Sequence, residues 1–306
     1  MYSMLTLLTG FILAIMITLN GQLTQYTNLY IAIVVIHVVG VLFAYLLCKL
    51  KRIPLHLFGT KPKWLYLGGS IGAFTTIANN VAFGQISMTS IIALGLLGQL
   101  VISLIIDSFG LFQMEKRPLK KSNVVVLAFS LIGIFMMLDN SVLVGMVAVF
   151  ISIASGIAVV LNRTINARLA EDIGDLPCSL VNHLVGLPIT ILIAVIAFQL
   201  RIIPSQIVLP SNPIVYVGGA LGVLVVFLSN ITVMKVPAFK LTVLVFISQI
   251  FTGVCIDLVL GLSVNNTSFV GGILIACGIL LELVYSKNQL DKETKKILQS
   301  NQEIVE

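Results

Sequence analysis

Ten long apolar blocks separated by short polar connections account for almost the entire chain. Each block approaches the length of about 20 residues that an α-helix needs to cross a bilayer. Uninterrupted apolar runs of this length are typical of membrane helices, not of the amphipathic helices of a soluble domain. The pattern therefore predicts an all-α polytopic membrane protein with ten transmembrane helices, at 4–23, 29–48, 64–85, 89–111, 122–138, 141–162, 177–199, 213–234, 239–260 and 268–286.

Composition agrees with lipid as the solvent. Of the 306 residues, 58% are hydrophobic and 10% are charged, and the mean hydropathy is +1.10. A soluble domain carries about 25% charged residues, so this chain could not cover a soluble surface with polar groups. The first apolar block is preceded by no basic residue and followed by no small-residue cleavage pattern, so we interpret it as a permanent membrane span.

The basic residues lie in alternate connections between the blocks. Cytoplasmic loops carry an excess of lysine and arginine, which predicts that both chain ends are cytoplasmic and that the number of spans is even. Only Arg201 falls on the opposite side. The predicted cytoplasmic residues are Lys49, Lys51, Arg52, Lys61, Lys63, Lys116, Arg117, Lys120, Lys121, Arg163, Arg168, Lys235, Lys240, Lys287, Lys292, Lys295 and Lys296. Because the net charge of +6 is spread over these short loops, it does not indicate nucleic-acid binding.

The two halves of the chain match each other. Ile36 to Gly40 resembles Asn182 to Gly186 at an offset of 146, and Gly68 to Gly72 resembles Gly218 to Gly222 at an offset of 150. The other matched pairs are Asn20 and Asn166, His37 and His183, Asn80 and Asn230, Gln99 and Gln249, and Asp107 and Asp257. We therefore expect a first five-helix repeat at 1–139, a second at 140–286, and a polar cytoplasmic tail at 287–306.

Five spans is an odd number, so the second repeat is predicted to enter the membrane inverted. The basic residues change loops accordingly: the connection between spans 2 and 3 has five, and its counterpart between spans 7 and 8 has one. Inverted repeats are the sequence mark of many secondary transporters, whose sites lie near the bilayer midplane between the halves.

Several motifs in the sequence resemble those of a known protein family. Gly98-Gln99-Leu100, Ser103, Asp107, Gly110-Leu111-Phe112 and Arg117-Pro118 form its sharpest stretch, and Asn20-Gly21 and Gly68-Gly69-x-x-Gly72 also fit. The chain resembles the drug/metabolite transporter (DMT) superfamily, in its YdcZ-like bacterial branch, as a fused two-unit form. The second half has Ser248-Gln249-Ile250 and Asp257 but no following Arg-Pro. The resemblance implies a ten-helix transporter in the bacterial cytoplasmic membrane.

Polar residues within the spans are the candidate substrate or coupling sites, because polar groups in a membrane usually face protein or water. They are His37, His183, Gln99, Gln249, Ser103, Asn20, Asn166, Asn80, Asn230, Asp107 and Asp257. Each histidine could bind a solute or take up a proton, or could simply tie two helices together.

The other candidates also have two interpretations. The aspartates could carry a cation or proton, or could cap the N-terminus of a neighbouring helix. The glutamines and Ser103 could contact a polar solute or bridge helices, and the asparagines favour bridging. We expect Arg163, Arg168 and Glu282 to extend their charged groups to the membrane interface, and the glycine patches to serve helix packing.

No catalytic, metal-binding or nucleotide-binding motif is present in the sequence. We therefore predict a secondary transporter, working by alternating access as an exporter of a small metabolite or drug-like solute, without cofactor or bound metal. His37, His183, Gln99 and Gln249 are expected to line a central cavity, with walls from spans 1, 3, 4, 6, 8 and 9. The alternatives are a lipid or amphiphile flippase and a non-transporting membrane scaffold or regulator. A monomer is sufficient in principle, and a homodimer is also open.

Overall fold

A computed structural model describes residues 1–55, 57–60, 62–82, 85–86, 88–117, 120–203, 209–259, 269–281 and 284–285. Within these ranges the chain forms α-helices joined by short connections, some of which contain a turn of 3₁₀-helix. The helices are α1 (Tyr2–Tyr26), α2 (Leu29–Leu50), α3 (Gly68–Ala82), α4 (Met88–Phe109), α5 (Lys121–Met137), α6 (Met146–Ile173), α7 (Asp175–Gln199), α8 (Val217–Val233), α9 (Ala238–Val259) and α10 (Phe269–Leu281). The predicted tail at 287–306 lies outside the described residues.

Seven of these helices are long and apolar enough to cross a membrane: α1, α2, α4, α6, α7, α8 with its preceding 3₁₀ turn, and α9. The helices α3, α5 and α10 are shorter. Large apolar side chains face outward along the bundle, for example Leu42, Phe135, Phe150 and Leu192. An apolar outer surface of this kind is stable in lipid and unfavourable in water.

The sequence-based boundary of α6 is wrong. The sixth span was predicted to end at 162, with Arg163 and Arg168 in a loop, but α6 continues to Ile173. The connection to α7 is the single residue Gly174, whose φ of 93° is accessible to glycine at little cost. Arginine was taken as the end of the apolar span, but burial of Arg163 is compensated by partners on α4 and α9 that hydropathy does not reveal.

The core of the bundle is built by contacts between the first five helices and the next five. Helix α1 packs against α8 and α9, α6 packs against α3 and α4, and α2 packs against α7. In addition, α4 packs against α5 and α9. The starts of α1, α7 and α9 and the ends of α4 and α8 lie at one end of the bundle, which we call the basic end because it carries Lys116, Arg117, Lys235 and Lys240.

Close approaches between neighbouring helix backbones occur at equivalent positions of the two halves, which are related by the sequence offsets of 146 and 150. Glycine permits each approach because it has no Cβ. Gly156 lies against the Gly95 carbonyl as Gly10 lies against the Val245 carbonyl. The remaining equivalent contacts are Gly68 with Asn166 and Gly218 with Asn20, Gly69 with the Asn182 carbonyl and Gly219 with the Ile36 carbonyl, and Gly72 with Asn162 and Gly222 with Met16.

Candidate functional site

The two intramembrane histidines meet where α2 crosses α7. Their ring centroids are 5.6 Å apart and the rings are nearly perpendicular, with an interplanar angle of 69°. His37 lies against Gly186 and His183 lies against Gly40, so each ring occupies the space left by a glycine on the other helix. The sequence predicted a symmetric pair, and the structure brings its two members into contact.

The two histidines differ in hydrogen bonding. His37 Nδ1 donates to the Ile33 carbonyl at 2.8 Å, which fixes the orientation of that ring. Neither ring nitrogen of His183 has a hydrogen-bond partner among the described residues, although the side chain is only 5% exposed. A buried polar group without a partner costs about 1–3 kcal/mol, so an unpaired imidazole here is a candidate for solute contact.

A network of asparagine side chains joins α3, α6 and α7. Asn166 Nδ2 donates to Asn182 Oδ1 at 2.8 Å and to Asn162 Oδ1 at 2.9 Å. Asn162 Nδ2 in turn donates to the Gly68 carbonyl at 2.8 Å. Asn166 therefore has the helix-bridging role, which was one of the two alternatives for the asparagines.

The matching position in the first half lacks that network. Asn20 lies against Gly218 as Asn166 lies against Gly68, but the residues that correspond to Asn162 and Asn182 are the apolar Met16 and Ile36. Asn20 Oδ1 is buried and has no hydrogen-bond partner among the described residues. It lies one helical turn from Met16, whose sulfur approaches Gly222 on the side that His183 also approaches. Asn20 and His183 thus present unpaired polar atoms to the same region between α1, α7 and α8.

Arg163 forms a buried polar cluster with α4 and α9. Its guanidinium donates to the Thr242 hydroxyl, and to Ser103 Oγ and the Ala238 carbonyl at 3.4 Å each. The hydroxyls of Ser103 and Thr242 are also hydrogen-bonded to each other at 2.8 Å. Arg163 is only 8% exposed, so the expectation that it extends to the membrane interface is wrong. Ser103 bridges α4 to α6 and α9 in this cluster, which was one of its two alternatives.

Asp107 caps the N-terminus of α9. Its Oδ1 accepts from the Ala238 amide at 2.9 Å and its Oδ2 from the Phe239 amide at 2.8 Å. A carboxylate at this position satisfies two backbone donors and interacts favourably with the helix dipole. Arg163 and Arg117 are its cationic neighbours. The capping alternative is therefore the observed geometry for Asp107, which ties the end of α4 to the start of α9.

The remaining predicted residues are dispersed or lie outside the described side chains. Gln99 and Gln249 are half-buried on α4 and α9. Asn230 Nδ2 donates to the Asp175 carbonyl at 3.0 Å and so bridges α8 and α7. The side chains of Asn80 and Asp257, and residue Glu282, fall outside the described part. Among the described residues there is no group of three or more histidine, cysteine or acidic side chains that could hold a metal.

Two cavities open at the basic end, away from the histidine pair. One, of about 290 Å³, is lined by residues that include Asn230, Asp175 and Glu171. The other, of about 610 Å³, lies between α4, α5, α9 and α10 and includes Asp107 in its wall. Neither is lined by His37, His183, Gln99 or Gln249, so the structure does not join these four residues in one of its described cavities.

Sequence reasoning missed Arg163, Thr242, Asn162 and Asn182 as parts of the polar interior. The positions of two of them, Asn162 and Asn182, in the sequence could have indicated their role. Asn162 precedes Asn166 by four residues, which places both on one helix face, and Asn182 is the neighbour of His183. Thr242 left no such signal, because its partners Arg163 and Ser103 come from distant parts of the chain.

Comparison with known proteins agrees with the helical architecture. A solved structure titled "Crystal structure of protein" matches with a TM-score of 0.68 at 14% sequence identity, over 92% of this chain and 97% of the other. This identity establishes similarity of fold alone. No match was found among curated proteins.

A family model covers most of the chain. The model described as "Putative inner membrane exporter, YdcZ" matches residues 1–136 and 147–281, one match in each half. Together with the seven apolar helices, this match makes the protein a multi-pass protein of the cytoplasmic membrane, of a transporter class and not an enzyme class. The chain therefore belongs to the YdcZ branch of the DMT superfamily, as the resemblance of its motifs indicated.

Proposed function

We propose that the protein is a secondary transporter that exports a small polar or amphiphilic metabolite by alternating access. In this proposal, ten membrane spans form two inverted five-helix units, with both termini in the cytoplasm. The solute would bind between α1, α2, α7 and α8, where it would contact His183 and Asn20. The family assignment supports export, and the reciprocal contacts support two related units.

The observation that carries the proposal is the reciprocal crossing of α2 and α7. His37 with Gly186 and His183 with Gly40 are equivalent contacts at one offset, and the glycine contacts of α3 and α8 repeat in the same way. Two units packed by equivalent contacts can exchange conformations, so that each unit in turn takes the arrangement of the other. That exchange is the physical basis of alternating access in transporters with inverted repeats.

The unpaired atoms of His183 and Asn20 support a solute position at this crossing. Both belong to buried groups that lack a hydrogen-bond partner among the described residues. A solute with a hydroxyl or amine could donate to Asn20 Oδ1 and exchange a hydrogen bond with the imidazole of His183. The apolar surroundings of Met16 and Gly222 would accept an aliphatic portion of the same solute. A small polar metabolite with an apolar part fits this chemistry.

The test is a thermal-shift screen of the purified protein against a library of small metabolites and amines, followed by exchange of each hit in proteoliposomes. A ligand of the folded state raises its stability by about 2.7 kcal/mol at 100 times its Kd. We expect a hit to stabilise the wild type but not the His37→Ala/His183→Ala variant. The matched control replaces Leu42 and Leu192, outward-facing residues of the same two helices, by alanine.

The binding measurement and the exchange measurement test different parts of the proposal. Stabilisation and exchange that both disappear in the histidine variant, but persist in the control, would support a solute site at the crossing. A hit that stabilises the protein but is never exchanged would contradict transport and favour the scaffold or regulator alternative. Exchange that survives the double histidine substitution with an unaltered pH dependence would contradict a role for the histidines.

A further inference from the structure

The larger cavity at the basic end has a cationic opening. Its volume is about 610 Å³, and Lys116, Arg117, Lys120 and Lys240 contribute to its wall. Asp107 and Glu115 are the acidic residues of the same wall, which leaves a net charge of +2 from four basic and two acidic side chains. The cavity is formed where α4 ends, α5 and α9 begin, and α10 ends.

The acidic residues of this wall are already paired. Both carboxylate oxygens of Asp107 accept from backbone amides of α9. Glu115 forms a salt bridge with Arg117 at 2.6 Å. The cationic groups outside these pairs are Lys116, Lys120 and Lys240, of which the first two are exposed and the third is half-buried. With the Asp107 carboxylate, they account for the net charge of +2 of the wall.

The start of α5 adds to the positive potential. Lys120 is the N-cap residue of this helix and makes no side-chain capping bond. Helix N-termini present backbone amides and the positive end of the helix dipole to an anion. The start of α9, by contrast, already has a carboxylate from Asp107. A second anion would therefore be attracted toward α5 and the three lysines.

The inner wall of the cavity is apolar. Val126 of α5, Val243 of α9 and Ile279 of α10 line it, and all three are buried among their neighbours. A cationic opening above an apolar wall, at the end of a membrane bundle, matches a molecule with an anionic head and an acyl tail. Basic pockets between membrane helices are known to bind anionic lipid headgroups.

From this arrangement we propose that the cavity is a binding site for a phosphate-bearing amphiphile, with its phosphate at Lys116, Lys120 and Lys240 and its tail against Val126 and Ile279. The site is separate from the helix crossing and does not depend on the transport function proposed above. The shared chemistry is a phosphate ester, which could come from a membrane phospholipid or from a soluble metabolite.

The experiment measures the apparent Kd of three probes for the full-length protein, by titrating its thermal stabilisation in detergent. The probes are dihexanoyl phosphatidylglycerol, the zwitterionic dihexanoyl phosphatidylcholine, and glycerol 3-phosphate as a free headgroup. The test variant is Lys116→Gln/Lys120→Gln/Lys240→Gln. The matched control, Lys49→Gln/Lys51→Gln/Lys63→Gln, removes the same charge from exposed residues in the last turn of α2 and in the connection to α3.

We expect the anionic lipid to bind the wild type and the control with Kd values within about twofold of each other, and the test variant about tenfold or more weakly. If the triple variant does not fold, the single Lys240→Gln substitution should weaken binding about fivefold, which corresponds to the loss of one lysine near an anionic headgroup. Glycerol 3-phosphate binding as tightly as the lipid would support the anion site, identify soluble phosphate esters as its ligands, and contradict the contact of an acyl tail with Val126 and Ile279.

Three results would overturn the proposal. They are equal affinity for the zwitterionic and the anionic lipid, equal loss of binding in the test and control variants, and absence of binding by both anionic probes to the folded wild type. Each can be distinguished from failure of the transport proposal, because none of these measurements involves the histidine crossing.

Discussion

The helix crossing of His37 and His183 and the cluster around Arg163 belong to one bundle but use the two halves differently. At the crossing, each half supplies a histidine and a glycine, and the contacts are reciprocal. At the cluster, the residues have no equivalents: the positions that match Arg163, Ser103 and Thr242 are Ile17, Gly253 and Ile92. Backbone packing is thus repeated at equivalent positions of the two halves, whereas the polar cluster around Arg163 has no equivalent at the matched positions.

This difference indicates how the two ends of the bundle are held. At the basic end, α4, α6 and α9 are joined by a buried arginine, two hydroxyls and a carboxylate cap. Breaking a buried arrangement of this type is costly, since each group would lose partners away from water. Ile17, Gly253 and Ile92, which match Arg163, Ser103 and Thr242, carry no polar side chain, so these three positions contribute packing alone.

Substitution of Arg163 should have the largest effect on stability. Arg163→Met leaves Ser103 and Thr242 without their cationic partner and Asp107 with Arg117 as its remaining cationic neighbour, so we expect a loss of about 3–5 kcal/mol. The measurement is thermal unfolding in detergent, compared with Arg201→Met at an exposed arginine that follows α7. Equal stability of the two variants would mean that the cluster does not hold the basic end together.

Substitution of Gly40 or Gly186, at the crossing of α2 and α7, should have the next largest effect on stability. It also tests whether the two halves pack by equivalent contacts. A Cβ on Gly186 would lie 2.5 Å from His37 Nε2, and one on Gly40 would lie 2.6 Å from His183 Nδ1. Gly186→Ala and Gly40→Ala should therefore each destabilise the fold by about 1–3 kcal/mol, because a tightly packed interior resists added volume. Thermal unfolding provides the measurement.

Two further variants make this prediction specific. Gly21→Ala is the matched control, since a Cβ there would meet no atom within 4 Å. His183→Ala should relieve the cost of Gly40→Ala but not that of Gly186→Ala, which a double-mutant cycle measures. Markedly unequal costs for the two glycines would contradict an equivalent packing of the two halves.

Loss of Asn166 should have an intermediate effect. Asn166→Leu removes the donor to Asn162 and Asn182 and leaves their buried oxygens with fewer partners, which should cost about 1–3 kcal/mol. Hydrogen exchange of α6 and α7 should increase together with the loss of thermal stability. A fully stable variant would show that the network contributes nothing to the joining of these helices.

Asn20→Leu should have the smallest effect on stability. Asn20 Oδ1 has no partner to lose among the described residues, so the melting temperature should stay the same or rise slightly. If Asn20 contacts solute, the same variant should lose exchange of a transported compound while it remains folded. Destabilisation as large as that of Asn166→Leu would instead give Asn20 a structural role and remove it from the solute site.

Whether a feature could be predicted from the sequence depends on how far away in the chain its interaction partners lie. The helical regions were predicted to within a few residues for most blocks, because an apolar run of span length is a local property. The end of α6 was predicted wrongly at Arg163, since a charge within an apolar run was taken as its limit. Asp107 had a capping alternative in the sequence, but the helix that it caps begins at Ala238, more than 100 residues away.

Apolar composition, the alternation of basic loops, the internal match at two offsets and the family motifs were all determined by the sequence alone. They depend on residue type and order, and lipid solvation acts on each helix separately. Tertiary structure decided which polar groups are paired: Arg163 with Thr242, Asn166 with Asn182, and His183 with no described partner. A buried polar group is stabilised only by partners brought to it by helix packing, and those partners lie on other helices of the bundle.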